Sequence, residues 1–271
     1  MDALDIFYKT VPGRLLLKPV VSKPVSALAG KILDSRMSKI AVGPFVRNNG
    51  IRTEDYHLED VGSFNDFFRR RIKEELRPLC ADKKALVAPC DGRLSLGRIR
   101  NDKVIRVKQS EFTVSGLLRD EKLASEFEGG HILVFRLCVD DYHRYVYFDS
   151  GMKQADRKID GVFHTVRPVA LERYPVFVEN CREYSVIDTD SFGRCVQMEV
   201  GALLVGRIVN VKKTACRVSR GEEKGFFEYG GSTVIVLIRK DRISLRDDLS
   251  ACGDTGIEIP VKMGERLGTA V

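Results

Sequence analysis

The sequence predicts an α+β protein: a helical N-terminal region followed by a β-rich body, sandwich- or barrel-like and mostly antiparallel. Three observations carry the prediction. Apolar residues between 25 and 41 recur at intervals of three and four. Beyond Pro78 the period shortens to two or gives way to unbroken apolar runs. Turn pairs such as Asp91-Gly92 and Ser150-Gly151 separate those runs. The division expected is residues 1–78, helical, and 79–271, the β-rich body, folded together as one unit.

In order along the chain, the first helix is expected from Val25. Leu28, Ala29, Ile32, Leu33, Met37, Ile40 and Ala41 form its apolar face. Lys31, Asp34, Ser35, Arg36, Ser38 and Lys39 take the other face, with Pro24 and Gly43-Pro44 as its limits. A second helix is expected at Ser63, whose hydroxyl can cap the first turn with Asp66 three residues on. Phe64, Phe67, Phe68 and Ile72 form its stripe. Residues 103–108 and 194–200 alternate as half-buried strands do. Residues 131–139 and 232–238 are continuously apolar, as strands covered on both faces are. Ser191-Phe192-Gly193 and Gly264-Glu265 supply further turns.

Composition narrows the function. No apolar run approaches the ~20 residues of a spanning helix, and the first residues lack the order of a signal peptide. Seven cysteines at irregular spacing, with no C-x-x-C pair, argue against disulfides and zinc and for a reducing compartment. Four histidines without an H-E-x-x-H pattern make a catalytic metal unexpected. The net charge of +7 suits an anionic partner. Residues 9–47 concentrate the excess, with eight Lys and Arg against Asp34 alone. A solvated basic face is one reading of that segment; a helix lying in a lipid interface is the other.

Four segments could carry chemistry. Ala88–Arg93 places Asp91 on a tight turn. Asp140–Tyr145 gathers Asp141, His143 and Arg144 at the end of a buried strand, where a histidine with carboxylates in reach can act as acid or base. A structural hydrogen bond is the alternative role for His143. Phe163–Pro168 contains His164. Phe226–Val234 puts two glycines ahead of Ser232, which lets a backbone carbonyl approach the serine hydroxyl; alone, it reads as a turn into a strand.

Together these segments resemble the phosphatidylserine decarboxylase family of self-processing pyruvoyl enzymes. The resemblance runs through GRLLLKP, SFNDFFRRRIK, the P-x-D-G turn at Pro89–Gly92, DYHR at Asp141–Arg144, FVENCREY, VGALLVGRI and KGFFEYGGSTVIVL, in that order. It implies that Ser232 attacks the carbonyl of Gly231, that the resulting ester is eliminated to leave a dehydroalanine, and that this hydrolyses to a pyruvoyl group at residue 232 with release of ammonia. The chain is then a 1–231 piece and a 232–271 piece. The cofactor is therefore covalent, and no G-x-G-x-x-G or P-loop is present for a dissociable one. The pyruvoyl carbonyl would form a Schiff base with the amine of phosphatidylserine, acting as electron sink while CO2 leaves. His143 is the expected proton donor to the product, phosphatidylethanolamine.

Self-cleavage needs a base on Ser232. In the family a histidine backed by an aspartate serves, and Asp91 and Asp141 match the acids by position. Many members carry that histidine three residues after the one in DYHR, where this sequence has Val146. His164 is the expected substitute, with His143 as its rival. The resemblance also favours the interfacial reading of residues 1–47, with basic side chains on an anionic membrane surface. The expected location is peripheral, on the cytoplasmic side of the cell membrane. The expected partners are phosphatidylserine, that surface and the enzyme's own cleaved chains, without nucleic acid. Three other readings exist: a pyruvoyl decarboxylase of another serine-headgroup lipid or an amino acid, a serine hydrolase, and a non-enzymatic basic membrane- or nucleic-acid-binding β-domain. The absence of G-x-S-x-G opposes the second. The lack of aromatics among the basic runs opposes nucleic acid in the third.

Overall fold

The fold is seen in a computed structural model, which describes all residues except 1–2, 101–104, 108–109, 167, 172–173, 203–206, 230–231 and 254. The first third is helical: α1 (Ala3–Lys9), α2 (Val11–Val20), α3 (Lys23–Leu33), a 3-10 segment over Arg36–Ala41, α4 (Val42–Asn49) and α5 (Phe64–Phe68). Ser63 caps α5 by accepting from Asp66 N at 3.1 Å, as the sequence predicts, and Thr10, which the sequence reading did not single out, caps α2 by accepting from Gly13 N. The helix expected to continue through Ala41 breaks after Leu33. The Ser35 and Ser38 hydroxyls donate to the carbonyls of Ile32 and Leu33, offering the backbone a competing partner there.

The body is built on one large antiparallel sheet. Its spatial order is Cys216–Val218, Gly151–Lys153, Arg182–Thr189, Gly193–Gly201, Ser232–Ile238, His131–Leu137, Gly92–Arg98 and Ile259–Val261, with Arg157–Ile159 also paired to Arg182–Thr189. The two end strands do not meet, so the sheet stays open rather than closing into a barrel. Two three-stranded sheets lie beside it, Ile208–Asn210 with Glu223–Phe227 and Arg144–Val146, and Ile243–Leu245 with Arg266–Ala270 and Ala85–Val87. The expected strand over 103–108 is seen as Ile105–Val107, with 103, 104 and 108 outside the described residues.

Both faces of the large sheet are covered, which explains the unbroken apolar runs. Ile132, Val134, Val196, Met198, Val200, Ile235 and Leu237 pack with Tyr8, Leu17 and Val21 of the N-terminal segment. Leu133, Phe135, Cys195, Val234, Val236 and Ile238 pack with Tyr145, Phe227, Leu86 and Leu267 of the small sheets. Fully burying side chains of this kind contributes about 1.5–3 kcal/mol each. α1 and α2 therefore share the core of the body. At the Asp91-Gly92 turn only glycine fits, because φ is +146° and a Cβ would stand 2.8 Å from the Arg136 carbonyl oxygen.

Candidate active site

Ser232 is the first residue of a central strand. Its neighbours in register are Gly201 on one side and Leu137 on the other, and its side chain is fully buried. The strand ending at Leu137 leads into a tight turn, where Asp141 N donates to Cys138 O at 3.0 Å and Cys138 N donates to Asp141 Oδ2 at 2.7 Å. That turn brings His143 back over the start of the Ser232 strand. His143 Nδ1 lies 3.1 Å from Ser232 Oγ, and Nε2 lies 2.9 Å from Cys138 O.

The second contact decides the first. A carbonyl can only accept, so Nε2 carries the proton and donates to Cys138 O. Nδ1 is then a bare acceptor, and the Ser232 hydroxyl donates to it. The ring is fully buried and packs against Phe68, with centroids 4.1 Å apart. Burial, and secondarily the charge of Arg70, push its pKa down to about 3. The imidazole is therefore neutral at neutral pH, the form a base must have.

The N-terminal helices hold this arrangement. Arg70, itself buried, donates through Nη2 to the carbonyls of Asp140 and Asp141, at 3.2 and 3.3 Å, so it fixes the turn that carries His143. Its guanidinium lies over the Tyr56 ring at 4.3 Å. Asn65 of α5 accepts from Tyr229 N at 3.3 Å, and the Tyr229 ring packs edge-on against Phe45, Phe64 and Phe68. The backbone three residues ahead of Ser232 is thus pinned by α4 and α5.

The remaining expected residues fall in different places. Asp141 belongs to the turn: its carboxylate accepts from a backbone amide, and burial raises its pKa. It orients His143 through Cys138 without contacting the ring. Asp91, also buried, is engaged by Arg77 and by Met263 N at 2.9 Å. His143 has both nitrogens occupied, so neither aspartate backs it directly. His164 is not brought to Ser232. Its Nδ1 is 3.2 Å from Tyr8 Oη, its ring stacks on Tyr174, and its pKa is lowered by burial to about 4. Tyr8 packs on the face of the sheet carrying Val200 and Ala202. Ser232 pairs with Gly201 between them and points to the other face. Of the two histidines expected as candidates, the structure places His143 against the Ser232 hydroxyl and His164 across the sheet from it. Gly231, expected as the other half of the cleavage site, lies outside the described residues.

Sequence reasoning missed Cys138, Phe68 and Arg70 as parts of the site. Cys138 acts through its carbonyl, which leaves no mark on residue type. Phe68 and Arg70 were visible inside SFNDFFRRRIK, without an assigned role.

Comparison with known proteins gives a consistent result. Residues 64–269 match the family model described as phosphatidylserine decarboxylase. Phosphatidylserine decarboxylase proenzyme 2 of Clostridium acetobutylicum is 40% identical over 266 residues, covering 98% of this chain and 91% of that protein. The phosphatidylserine decarboxylase proenzyme of Ruminiclostridium cellulolyticum is 39% identical over 273 residues, covering 99% and 91%. That of Clostridium perfringens is 38% identical, covering 96% and 90%. A site built on a buried serine and a neutral histidine, matched along its whole length by proteins named as proenzymes, leads to one assignment: this chain belongs to the phosphatidylserine decarboxylase family.

Proposed function

We propose that the protein cuts itself between Gly231 and Ser232 and then decarboxylates phosphatidylserine to phosphatidylethanolamine and CO2 at an anionic membrane surface. The observation that carries the reading is the 3.1 Å contact between Ser232 Oγ and the bare Nδ1 of His143. His143 takes the hydroxyl proton as Ser232 Oγ attacks the Gly231 carbonyl carbon. Protonation of the released amine leaves residues 1–231 esterified to the Ser232 oxygen. Loss of the Ser232 α-proton then expels that ester as the carboxylate of Gly231, and water hydrolyses the dehydroalanine left at residue 232 to the pyruvoyl group with release of ammonia.

Residue 232 fits the pyruvoyl group implied by the family. The oxygen that must attack and then leave is buried beside a neutral acceptor. When present, the group supplies a carbonyl for the substrate amine and a sink for the electrons of the breaking C–C bond. His143 holds the proton that returns to the substrate carbon. Its burial makes that proton easy to surrender, because the charged imidazolium is poorly solvated there. One histidine thus serves both stages, and position 146 is free to be the buried Val146.

The N-terminal helices support the interfacial part. Leu15, Leu16, Leu28, Ile32, Met37 and Ile40 are all more than half exposed, and Lys18, Lys31 and Lys39 stand among them. A soluble surface rarely spends so many large apolar side chains in one segment, whereas a helix lying in a lipid interface does. Among the described residues no helix is long and apolar enough to cross a membrane. We assign residues 1–78 to membrane docking and site support, residues 79–271 to catalysis, and the protein to the cytoplasmic face of the membrane. The cleaved chains remain together as its working form.

Intact-mass analysis with a CO2-release assay tests the proposal. The active protein should contain residues 1–231 and a 232–271 chain with a carbonyl-bearing, blocked N-terminus. Ser232→Ala should remain one inactive chain. An active preparation made of one uncut chain would sink the proposal.

A further inference from the structure

Beside the site, α3 and the adjoining end of the large sheet enclose a cleft of about 330 Å³. Its α3 wall is made of Lys23, Ser26, Ala27, Gly30, Lys31 and Asp34, which recur along one face of the helix. Small residues at 26, 27 and 30 leave the space open. The opposite face of the same helix carries Val25, Leu28 and Ile32, exposed to 38%, 60% and 59%. One helix therefore divides an apolar outer surface from a cleft whose charged lining residues are mostly cationic.

The far wall carries Lys158, Arg182 and Arg207. Arg182 is fully buried, yet its guanidinium donates to the backbone carbonyls of Leu117, Gly116, Val178 and Asn180 and to no carboxylate among the described residues. A buried cation held only by neutral dipoles leaves its charge uncompensated, and the field it casts into the cleft favours an anion. The acids of the cleft offset this only in part. Asp34 accepts from Asn65, Asp160 pairs with Lys23 at 2.7 Å, Glu183 accepts from Asn210, and the buried Glu228 lies 3.6 Å from the exposed Arg207.

The cleft also touches the backbone around Ser232. Cys181, on its wall, accepts from Gly201 N at 2.9 Å, and Gly201 is the register partner of Ser232. Arg207 O accepts from Glu228 N at 3.1 Å, four residues ahead of Ser232. Asp34 is linked through Asn65 to Tyr229.

We infer that this cleft is the subsite for the phosphodiester of the lipid headgroup, with Lys31, Lys158 and Arg207 as its cations. The proposal rests on the lipid-decarboxylase reading and deepens it. The acyl chains stay on the outer side of α3, against Leu28 and Ile32, while the headgroup passes inward toward residue 232. The site thereby selects a serine that carries a phosphodiester over free serine.

The test uses the mature wild-type protein and the double variant Lys31→Glu/Lys158→Glu, both positions being exposed. Glycerophosphoglycerol, a phosphodiester without an amine, is titrated by calorimetry. Phosphatidylserine turnover is measured in neutral mixed micelles. The wild type should bind glycerophosphoglycerol and the variant at least about tenfold more weakly. The variant's KM should rise by about the same factor with kcat little changed, since charge-assisted contacts of this kind are worth about that much. Arg36→Glu/Lys39→Glu, outside the cleft, should weaken vesicle binding and leave glycerophosphoglycerol binding intact. Equal binding by wild type and the cleft variant would overturn the subsite. So would inorganic phosphate binding as tightly as the diester. A wild type that cleaves itself yet releases no CO2 from phosphatidylserine would instead overturn the reading on which the subsite rests.

Discussion

Arg77 grips Asp91 with two arms of its guanidinium, Nε to Oδ1 at 2.7 Å and Nη2 to Oδ2, around a carboxylate that is 1% exposed. The pair closes the Pro89–Gly92 turn onto the chain at Met263. Asp91→Asn should therefore act through stability. Leaving Arg77 without its counter-charge costs about 3 kcal/mol, read as a lower urea midpoint, while variant molecules that remain folded should cleave at the wild-type rate. Cleavage abolished at an unchanged midpoint would return Asp91 to the chemistry.

His143→Ala should stop self-cleavage, leaving one full-length chain by mass. His164→Phe should cleave normally, because the His164 ring meets Tyr8 and Tyr174 across the sheet from the Ser232 side chain. The opposite pattern would move the base to His164.

Both buried histidines make the fold sensitive to acid. Their folded pKa values, about 3 and about 4, lie below the ordinary value of 6.5. The unfolded chain therefore takes up protons first as pH falls below 6.5. Each histidine should remove about 1.4 kcal/mol of stability per pH unit, ending near its folded value. Urea midpoints measured from pH 7.5 to 5 should fall accordingly, and His164→Phe should flatten the decline.

Lys224 and Glu199 form an ion pair of 2.5 Å with both side chains fully buried. Burial raises the Glu199 carboxyl to about 7 even with the ammonium beside it. Glu199→Gln should destabilise by about 3–5 kcal/mol by stranding the lysine, whereas Glu199→Leu with Lys224→Met should recover most of that. Chemical denaturation of the three proteins checks the ordering.

Deleting residues 1–47 would remove Tyr8, Leu17 and Val21 from the core, so it is a poor probe of membrane binding. Leu28, Ile32, Met37 and Ile40 replaced together by Ser should do better. These side chains are exposed, so the melting temperature should hold, while flotation with anionic vesicles should weaken by at least about tenfold. Unchanged flotation would remove the docking role.

Periodicity exposed the fold well where burial is one-sided or complete. The strands over 194–200 and 232–238 and the Ser63 cap lie where the pattern puts them. It failed at Ser35, because hydroxyl competition for helix carbonyls depends on rotamers rather than on hydropathy. Ser232 and His143 were legible as motif residues. The choice between His143 and His164 was not. It turns on which face of a sheet each ring occupies, and that follows from the pairing of Gly201 with Ser232, two residues that lie far apart in the chain.

The Ser232–Ile238 strand is hydrogen-bonded along its whole length to Gly193–Gly201 on one side and His131–Leu137 on the other. Its position sets an order in time. On the proposed cleavage, the bond before Ser232 is cut only after the sheet has assembled around it, because His143 arrives there with the strand that precedes it. After the cut, neither fragment can leave without tearing the middle out of the sheet. Two halves synthesised separately would face the reverse problem, since each would present an unfinished sheet edge to solvent. A single gene product that folds first and divides afterwards avoids that hazard.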